Sequence, residues 1–255
     1  MNKKALRAAL HLASPDAQNR YEARHEILSA LARKWGFRLY NRNLAWFWDE
    51  DFMAAWSRFP EATKIIHERK FNLFNIARSL RHVSGDLAEC GVFRGSSSFL
   101  MLAASDGKGK YLYGFDSFEG LSEPTKNDAV AIDRTFKWKE NDLAVPEEAA
   151  DRNLRKYAGS YTLYKGWIPA RFDEIKDKRF SLVHIDVDLY EPTLASLEFF
   201  WPRLNAGGMI VCDDYGFESC PGARRAMDEF FAAHGQSVVH LTTGQGFATK
   251  PAAGA

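Results

Sequence analysis

The stretch "VHIDVDLYEPT", Val183 to Thr193, carries two aspartates one residue apart, Asp186 and Asp188, where an apolar run gives way to helical spacing. A second acidic pair, Asp213 and Asp214 in "GGMIVCDDYG", closes the next apolar run. If the two runs are neighbouring buried strands, four carboxylates meet in one small region. That much like charge out of water is costly and raises the pKa of at least one group unless a cation joins it. Neither motif contains Lys or Arg. An all-oxygen set of aspartates suits a hard divalent cation such as Mg²⁺, with waters or substrate hydroxyls completing the octahedron. The alternative is helix capping and solvated loop ends, since Pro192 and the apolar pattern after it mark a helix start, where an acidic residue is favourable.

A second constellation lies upstream. "ECGVFRGSS" sets Glu89, Gly91 and Gly95 as E-x-G-x-x-x-G at the end of an apolar run and before a helical segment. Glycines there let a ligand approach the backbone of a strand-to-helix turn, although a tight turn also needs them for steric reasons. The following run ends in Asp116, within "YGFDSFEG", about 25 residues on. An acidic residue at that place can accept hydrogen bonds from both ribose hydroxyls, so the pair argues for a nucleoside-containing cofactor. A nicotinamide enzyme would normally show the compact G-x-G-x-x-G turn. Here the turn begins with Glu89, which could hold a positively charged amino group, and S-adenosylmethionine, with its α-amino group and sulfonium, suits an acidic turn better. His184 lies two residues before Asp186, on the same side by strand alternation. It reads as a buried, hydrogen-bonded strand histidine, or as a proton relay or partner of the carboxylates. His240, near the end of the chain, reads as structural.

These residues require a frame. After Gly85 the chain shows short apolar runs, "DLAECGV", "KYLYGFD", "YTLYKG", "FSLVHIDV" and "GGMIVCDD", separated by helix-length segments. This is the pattern of buried parallel strands with helical crossovers, a doubly wound α/β sheet. "SVVHLTT" and "GFATK" follow with only a short turn between them, which can join only antiparallel strands. A terminal antiparallel hairpin on a parallel sheet points, by fold analogy, to a Rossmann-like class I methyltransferase. Residues 1–84 read as a helical N-terminal extension that covers substrate or makes dimer contacts, with four of the seven tryptophans in "WGFRLYNRNLAWFWDEDFMAAWSRF". Residues 85–255 read as the methyltransferase domain, and its long polar stretch, about 121–159, as a lid.

With 255 residues, 46% of them hydrophobic, the chain suits one large domain with an appended segment. A formal net charge of +1 gives no electrostatic case for nucleic acid or an anionic membrane. Cys90, Cys212 and Cys220 show no CxxC spacing, and a reducing, cytoplasmic setting fits. Arg7 and His11 interrupt the apolar core a signal peptide would need, and no segment approaches the roughly 18 continuous apolar residues of a membrane span.

The ordered set "GDLAECGVFRGSS", "GFDSFEGL", "YKGWIP", "HIDVDLYEPT", "GGMIVCDDYG" and "CPGARRAMDEFF" resembles the TylF/MycF family of metal-dependent, S-adenosylmethionine-dependent O-methyltransferases, from about Gly85 to Lys250. Known members methylate sugar hydroxyls of macrolide and aminocoumarin antibiotics. The resemblance implies that Glu89, Gly91 and Gly95 form the methionine side of the cofactor site, Asp116 and Ser117 the ribose side, and that Gly166 and Trp167 lie near the adenine. It implies Asp186, Asp213 and Asp214 as Mg²⁺ ligands and Asp188 as the general base. The chain departs from the family pattern at Val187, Pro192 and His184, which leaves the metal site in place, while the lid and N-terminal region, which choose the substrate, show no match to carry over and leave the acceptor unassigned. The expected acceptor is a small molecule or glycan presenting a sugar hydroxyl or other vicinal diol, with a homodimer as a possible assembly. The rival readings are a Mg²⁺-dependent phosphoryl-transfer or hydrolytic enzyme, for which no nucleophile motif or phosphate-cradling lysine loop is found, and a non-catalytic cofactor-binding module.

Overall fold

The computed structural model describes residues 11–36, 49–63, 68–106, 108–130 and 137–252. The first ten residues, Trp46 and Trp48 of the aromatic stretch, and 131–136 of the expected lid lie outside them. The chain divides into two compact units, Met1–Met53 and Ala54–Ala255. In the first, helix α1 (Ala17–Lys34) is preceded by a turn held by Arg20, whose Nη1 donates to the carbonyls of Ser14 and Pro15, each at 2.7 Å. Helix α2 (Glu50–Arg58) follows, with Glu50 and Asp51 in its first turn and Arg58 in its last, each placed to favour the helix dipole. The expected boundary lies near Gly85, but the unit that holds the sheet begins at Ala54 and includes helix α3 (Glu68–Leu80).

Seven strands build one sheet: β1 (Asp86–Cys90), β2 (Leu112–Asp116), β3 (Tyr161–Lys165), β4 (Phe180–Ile185), β5 (Leu204–Cys212), β6 (Val239–His240) and β7 (Gly246–Thr249). Their order is β3-β2-β1-β4-β5-β7-β6. The pairings among β1 to β5 are parallel, while β7 runs antiparallel to both β5 and β6. Helices α4 (Ser96–Ala104), α5 (Glu147–Leu154), α6 (Tyr190–Phe200) and α7 (Pro221–Ala233) complete the unit. The order reverses between β1 and β4, so right-handed crossovers put α4 and α6 on opposite faces and leave a crevice at the carboxyl ends of those two strands.

Strand alternation sorts the side chains. Ala88 and Cys90 of β1, Val183 and Ile185 of β4, and Ile210 and Cys212 of β5 pack with Phe200, Met227 and Phe231 in one apolar core. Leu87, Glu89, Leu182 and His184 point to the other face, where Ser98 of α4 reaches Glu89. Burying this many large side chains, at about 1.5–3 kcal/mol each, is what makes the two strand ends a rigid platform. All three cysteines are buried and free.

The expected lid resolves into distinct pieces. Thr125 and Asp128 form a capping box, and the buried Asp128 accepts from the Tyr190 N–H at 2.7 Å, tying this turn to the start of α6. Helix α5 lies in the same stretch, with Ala149, Ala150 and Leu154 buried. Among the described residues, no helix is long and apolar enough to cross a membrane.

Candidate active site

A cavity of about 440 Å³ opens at the crevice between β1 and β4. Gly91, the residue after β1, lines it with φ +86°, and its N–H donates to the Phe115 carbonyl at 2.8 Å. A Cβ on Gly91 would stand 1.8 Å from the Asp186 carbonyl oxygen, so only glycine fits where the two strand ends converge. Asp116, at the tip of β2, lines the same cavity. Its Oδ2 accepts from the Phe93 N–H and its Oδ1 from the Phe118 N–H, both at 2.7 Å. Phe93 and Phe118 are held at φ 51° and 55°, so Asp116 fixes two left-handed turns and keeps a lone pair on each oxygen for a ligand. Burial raises its pKa against the pull of these N–H groups. Ser117 lines the cavity while its hydroxyl donates to the Gly120 carbonyl at 2.8 Å. Trp167 lines it too; Gly166 does not, but its N–H donates to the Asp116 carbonyl at 2.9 Å and so directs the chain into Trp167.

Two residues expected on the methionine side, Glu89 and Gly95, do not line the cavity. Glu89 is fully buried behind the wall, accepting from the Ser98 hydroxyl and paired with His184 Nδ1 at 2.9 Å. Register places Glu89 opposite His184 on the α4 face of the sheet. Gly95 caps α4 at φ 80° and packs towards Leu154 rather than into the cavity.

At the other wall, Asp186 and Asp188 follow β4 and line the cavity. The Asp186 N–H donates to the Cys90 carbonyl at 2.8 Å, and its carboxylate accepts no hydrogen bond from the described residues. Asp188 adopts φ 60°; its N–H donates to Asp214 Oδ2 at 3.0 Å and its Oδ1 lies 3.3 Å from the Cys220 thiol. Asp213 is fully engaged: Oδ1 accepts from Gln245 Nε2 at 2.7 Å and lies 3.3 Å from His184 Nε2, while Oδ2 pairs with Arg69. The four aspartates thus form two adjoining groups, His184 with Asp186 and Asp213, and Asp188 with Asp214 and Cys220, the potential ligand atoms of each within 4.8 Å of one another.

The cations missing from the motifs come from α3. Arg69 reaches Asp213 and stacks 4.7 Å from the Phe217 ring centroid, and Lys70 bonds to the Ser97 hydroxyl. His184 is fully buried between Glu89 and Asp213, and their hydrogen bonds overcome burial to raise its pKa to about 9. Asp213 is correspondingly held well below the usual carboxylate range, burial notwithstanding, by His184, Lys70 and Arg69. The compensation stops there. Burial and the charge of Asp213 push Asp186 up to about 7; burial and Asp213 push Asp188 to about 6, against Cys220 and Arg69. Asp214 rises well above its ordinary value through burial and its three aspartate neighbours.

These donors fit a divalent cation. Among the described residues, neither oxygen of Asp186 nor Oδ1 of Asp214 accepts a hydrogen bond, and burial together with the neighbouring aspartates raises both pKa values, so a cation at this place would favour their charged forms. Hard carboxylate oxygens suit Mg²⁺, with Asp186 and Asp213 in one group of potential ligand atoms and Asp214 in the other. His184 therefore serves both readings the sequence left open, as a buried strand histidine and as a partner of the carboxylates. Sequence reasoning missed Arg69, Lys70, Gln245 and Cys220; none stands in a motif with the aspartates it serves.

A doubly wound sheet with a terminal antiparallel hairpin and a carboxylate-lined crevice at its switch point is the architecture of class I methyltransferases. Over residues 55–240 the chain matches, and it belongs to, the TylF family, described as macrocin-O-methyltransferase. It is 34% identical over 163 residues to the 8-demethyl-8-(2,3-dimethoxy-alpha-L-rhamnosyl)-tetracenomycin-C 4'-O-methyltransferase of Streptomyces olivaceus, covering 61% of each chain. It is 33% identical over 159 residues to the demethyldecarbamoylnovobiocin O-methyltransferase of Streptomyces niveus, covering 59% of this chain and 60% of that one. The chain thus spans about three fifths of the length of these curated relatives. The solved O-methyltransferase NovP superposes with a TM-score of 0.58 at 26% identity, over 72% of this chain and 80% of that one.

Proposed function

We propose that the protein is an S-adenosylmethionine-dependent O-methyltransferase that methylates a hydroxyl on a sugar of a secondary metabolite or glycan, at a Mg²⁺ centre held by Asp186, Asp213 and Asp214. The carrying observation is that, in a chain of this family, one cavity joins Gly91 and Asp116 to Asp186 and Asp188. The names of the Streptomyces relatives, one of which acts on a rhamnosyl tetracenomycin, support a sugar acceptor.

Displacement at a methyl group needs a deprotonated oxygen in line with the methyl–sulfur bond, so positioning and proton removal are the protein's tasks. Gly91 lets the methionine portion approach the backbone, Asp116 accepts from the ribose hydroxyls, and Trp167 covers the adenine. Asp186, Asp213 and Asp214 would hold Mg²⁺, which when bound would supply Lewis acidity that lowers the pKa of the acceptor hydroxyl. Asp188 accepts the proton through Oδ2, the oxygen Cys220 leaves uncommitted. Leu121, Leu143, Ile168 and Leu189 give the cavity apolar walls that exclude water. Leu121 and Leu143 belong to the 121–159 stretch, which we assign to acceptor selection.

The test is transfer of labelled methyl from S-adenosylmethionine to a panel of rhamnosyl and other deoxysugar glycosides. The expected result is label on a sugar oxygen, lost with EDTA and restored by Mg²⁺. Absence of cofactor binding by calorimetry, or Mg²⁺-dependent phosphate release in its place, would reject the proposal.

A further inference from the structure

We propose that Cys220 is a positioning residue for Asp188 and that Trp138 holds Cys220 in that role. The inference rests on the methyltransferase reading above, in which Asp188 takes the acceptor's proton.

Asp188 needs external support. Its φ is 60°, a left-handed conformation that aspartate adopts more readily than most residues when its backbone is held by local hydrogen bonds. Its N–H is fixed by Asp214 Oδ2 at 3.0 Å, which places the backbone but leaves the carboxylate free to rotate. The Cys220 thiol, 3.3 Å from Oδ1, is the contact that stops that rotation. Trp138 Nε1 lies 3.3 Å from the same sulfur. An indole N–H only donates, so the sulfur accepts from Trp138 and its S–H is left to donate to Asp188. A thiol with an ordinary pKa of about 8.5 keeps that proton at neutral pH. The Ser219 hydroxyl, 3.5 Å away, completes the polar surroundings of the sulfur.

The sulfur and the carboxylate are buried, while Trp138 is half-buried. Cys220 is 3% exposed and Asp188 7%. Cys220 also directly precedes Pro221 at the start of α7, so its backbone is fixed by the helix. With Oδ1 occupied, Oδ2 is the oxygen presented for proton transfer. Trp138 belongs to the 121–159 stretch whose Leu121 and Leu143 line the cavity, so the segment that meets the acceptor also bears on the base through one sulfur atom.

The experiment compares Cys220→Ala, Cys220→Ser, Trp138→Phe and the Cys220→Ala/Trp138→Phe double variant, using an acceptor that the wild-type enzyme methylates, at saturating Mg²⁺. Losing a hydrogen bond to a charged group is expected to lower kcat of Cys220→Ala about 10-fold with KM for S-adenosylmethionine unchanged. Cys220→Ser, which keeps a donor and an acceptor, is expected to recover to within about 3-fold of wild type, and Trp138→Phe to lose about 3-fold. The double variant is expected to be no slower than Cys220→Ala, because the two residues act in series. A second readout needs no turnover: a thiol in contact with an indole quenches it, so Cys220→Ala is expected to brighten tryptophan emission in the wild-type background and not in Trp138→Phe. Wild-type kcat in Cys220→Ala, serine as slow as alanine, or equal brightening in both backgrounds overturns the proposal. If wild-type protein methylates nothing, the methyltransferase reading fails instead, and the catalytic role of Cys220 with it.

Discussion

Gly91→Ala isolates the geometry on which the cavity depends. Two penalties act at once. At φ +86° an L-residue pays about 1–2 kcal/mol for the left-handed conformation. The new Cβ would also stand 1.8 Å from the Asp186 carbonyl oxygen and 2.7 Å from its carbonyl carbon, both backbone atoms that no rotamer change can move. Asp186 cannot retreat easily, because its N–H is bonded to the Cys90 carbonyl at 2.8 Å. Forcing the strand ends apart is an overpacking cost of about 1–3 kcal/mol, giving a total of about 2–5 kcal/mol. Gly159→Ala supplies the control, since Gly159 has φ +85° and nothing within 4 Å of the place its new methyl group would take. It should pay the conformational cost alone, about 1–2 kcal/mol. Urea denaturation of both variants gives the difference directly, and calorimetry with S-adenosylmethionine reports whether the displaced Asp186 carries the cavity wall with it. Equal stability losses in the two variants, with cofactor affinity intact in Gly91→Ala, would refute the argument that close approach of β1 and β4 builds the site.

Asp116→Ala should weaken S-adenosylmethionine binding by about 1.5–3 kcal/mol and also destabilise the fold by about 1–3 kcal/mol, because the Phe93 and Phe118 N–H groups lose their acceptor. Calorimetry and denaturation report the two separately, and unchanged affinity would remove Asp116 from the cofactor site. The raised pKa of His184, about 9 against an ordinary 6.5, means that its contribution to stability is full below about pH 6.5 and is lost as pH rises through 9. For metal-free enzyme this amounts to about 3 kcal/mol at most between pH 6.5 and 10, and His184→Gln should flatten that part of the curve; an identical pH dependence in the variant would show that the histidine is neutral in the fold.

The frame was legible because buried parallel strands leave a plain trace: five apolar runs, each closed by glycine or aspartate, became β1 to β5. The position of the acidic pairs followed, since a carboxylate at the end of a buried run must sit at a strand's carboxyl end. What the sequence could not show is set by docking. Arg69 lies 144 residues from Asp213, and only the packing of α3 brings the two together. Glu89 shares its strand parity with Leu87, which puts it on the α4 face opposite His184, and this hydrogen-bonded pair depends on the β1–β4 register, which no local motif shows. Asp213 and Asp214, neighbours in sequence, diverge as alternation requires, the first to His184 and the second to Asp188. Cys220 opens the "CPGARRAMDEFF" motif, but its contact with Trp138 depends on how the 121–159 stretch lies against the start of α7, which no motif shows.

The division of labour among the aspartates is the central claim, and turnover measured as a function of Mg²⁺ for Asp186→Asn and Asp188→Asn tests it most directly. Neither carboxylate oxygen of Asp186 accepts a hydrogen bond from the described residues, so Asp186→Asn should raise the Mg²⁺ concentration needed for activity. Asp188→Asn should leave that concentration nearly unchanged while lowering turnover about 10²–10⁴-fold, with partial recovery as pH rises and hydroxide substitutes for the base. If Asp188→Asn instead shifts the Mg²⁺ requirement and Asp186→Asn does not, the roles are exchanged; if both variants keep full turnover at wild-type Mg²⁺, the mechanism is wrong.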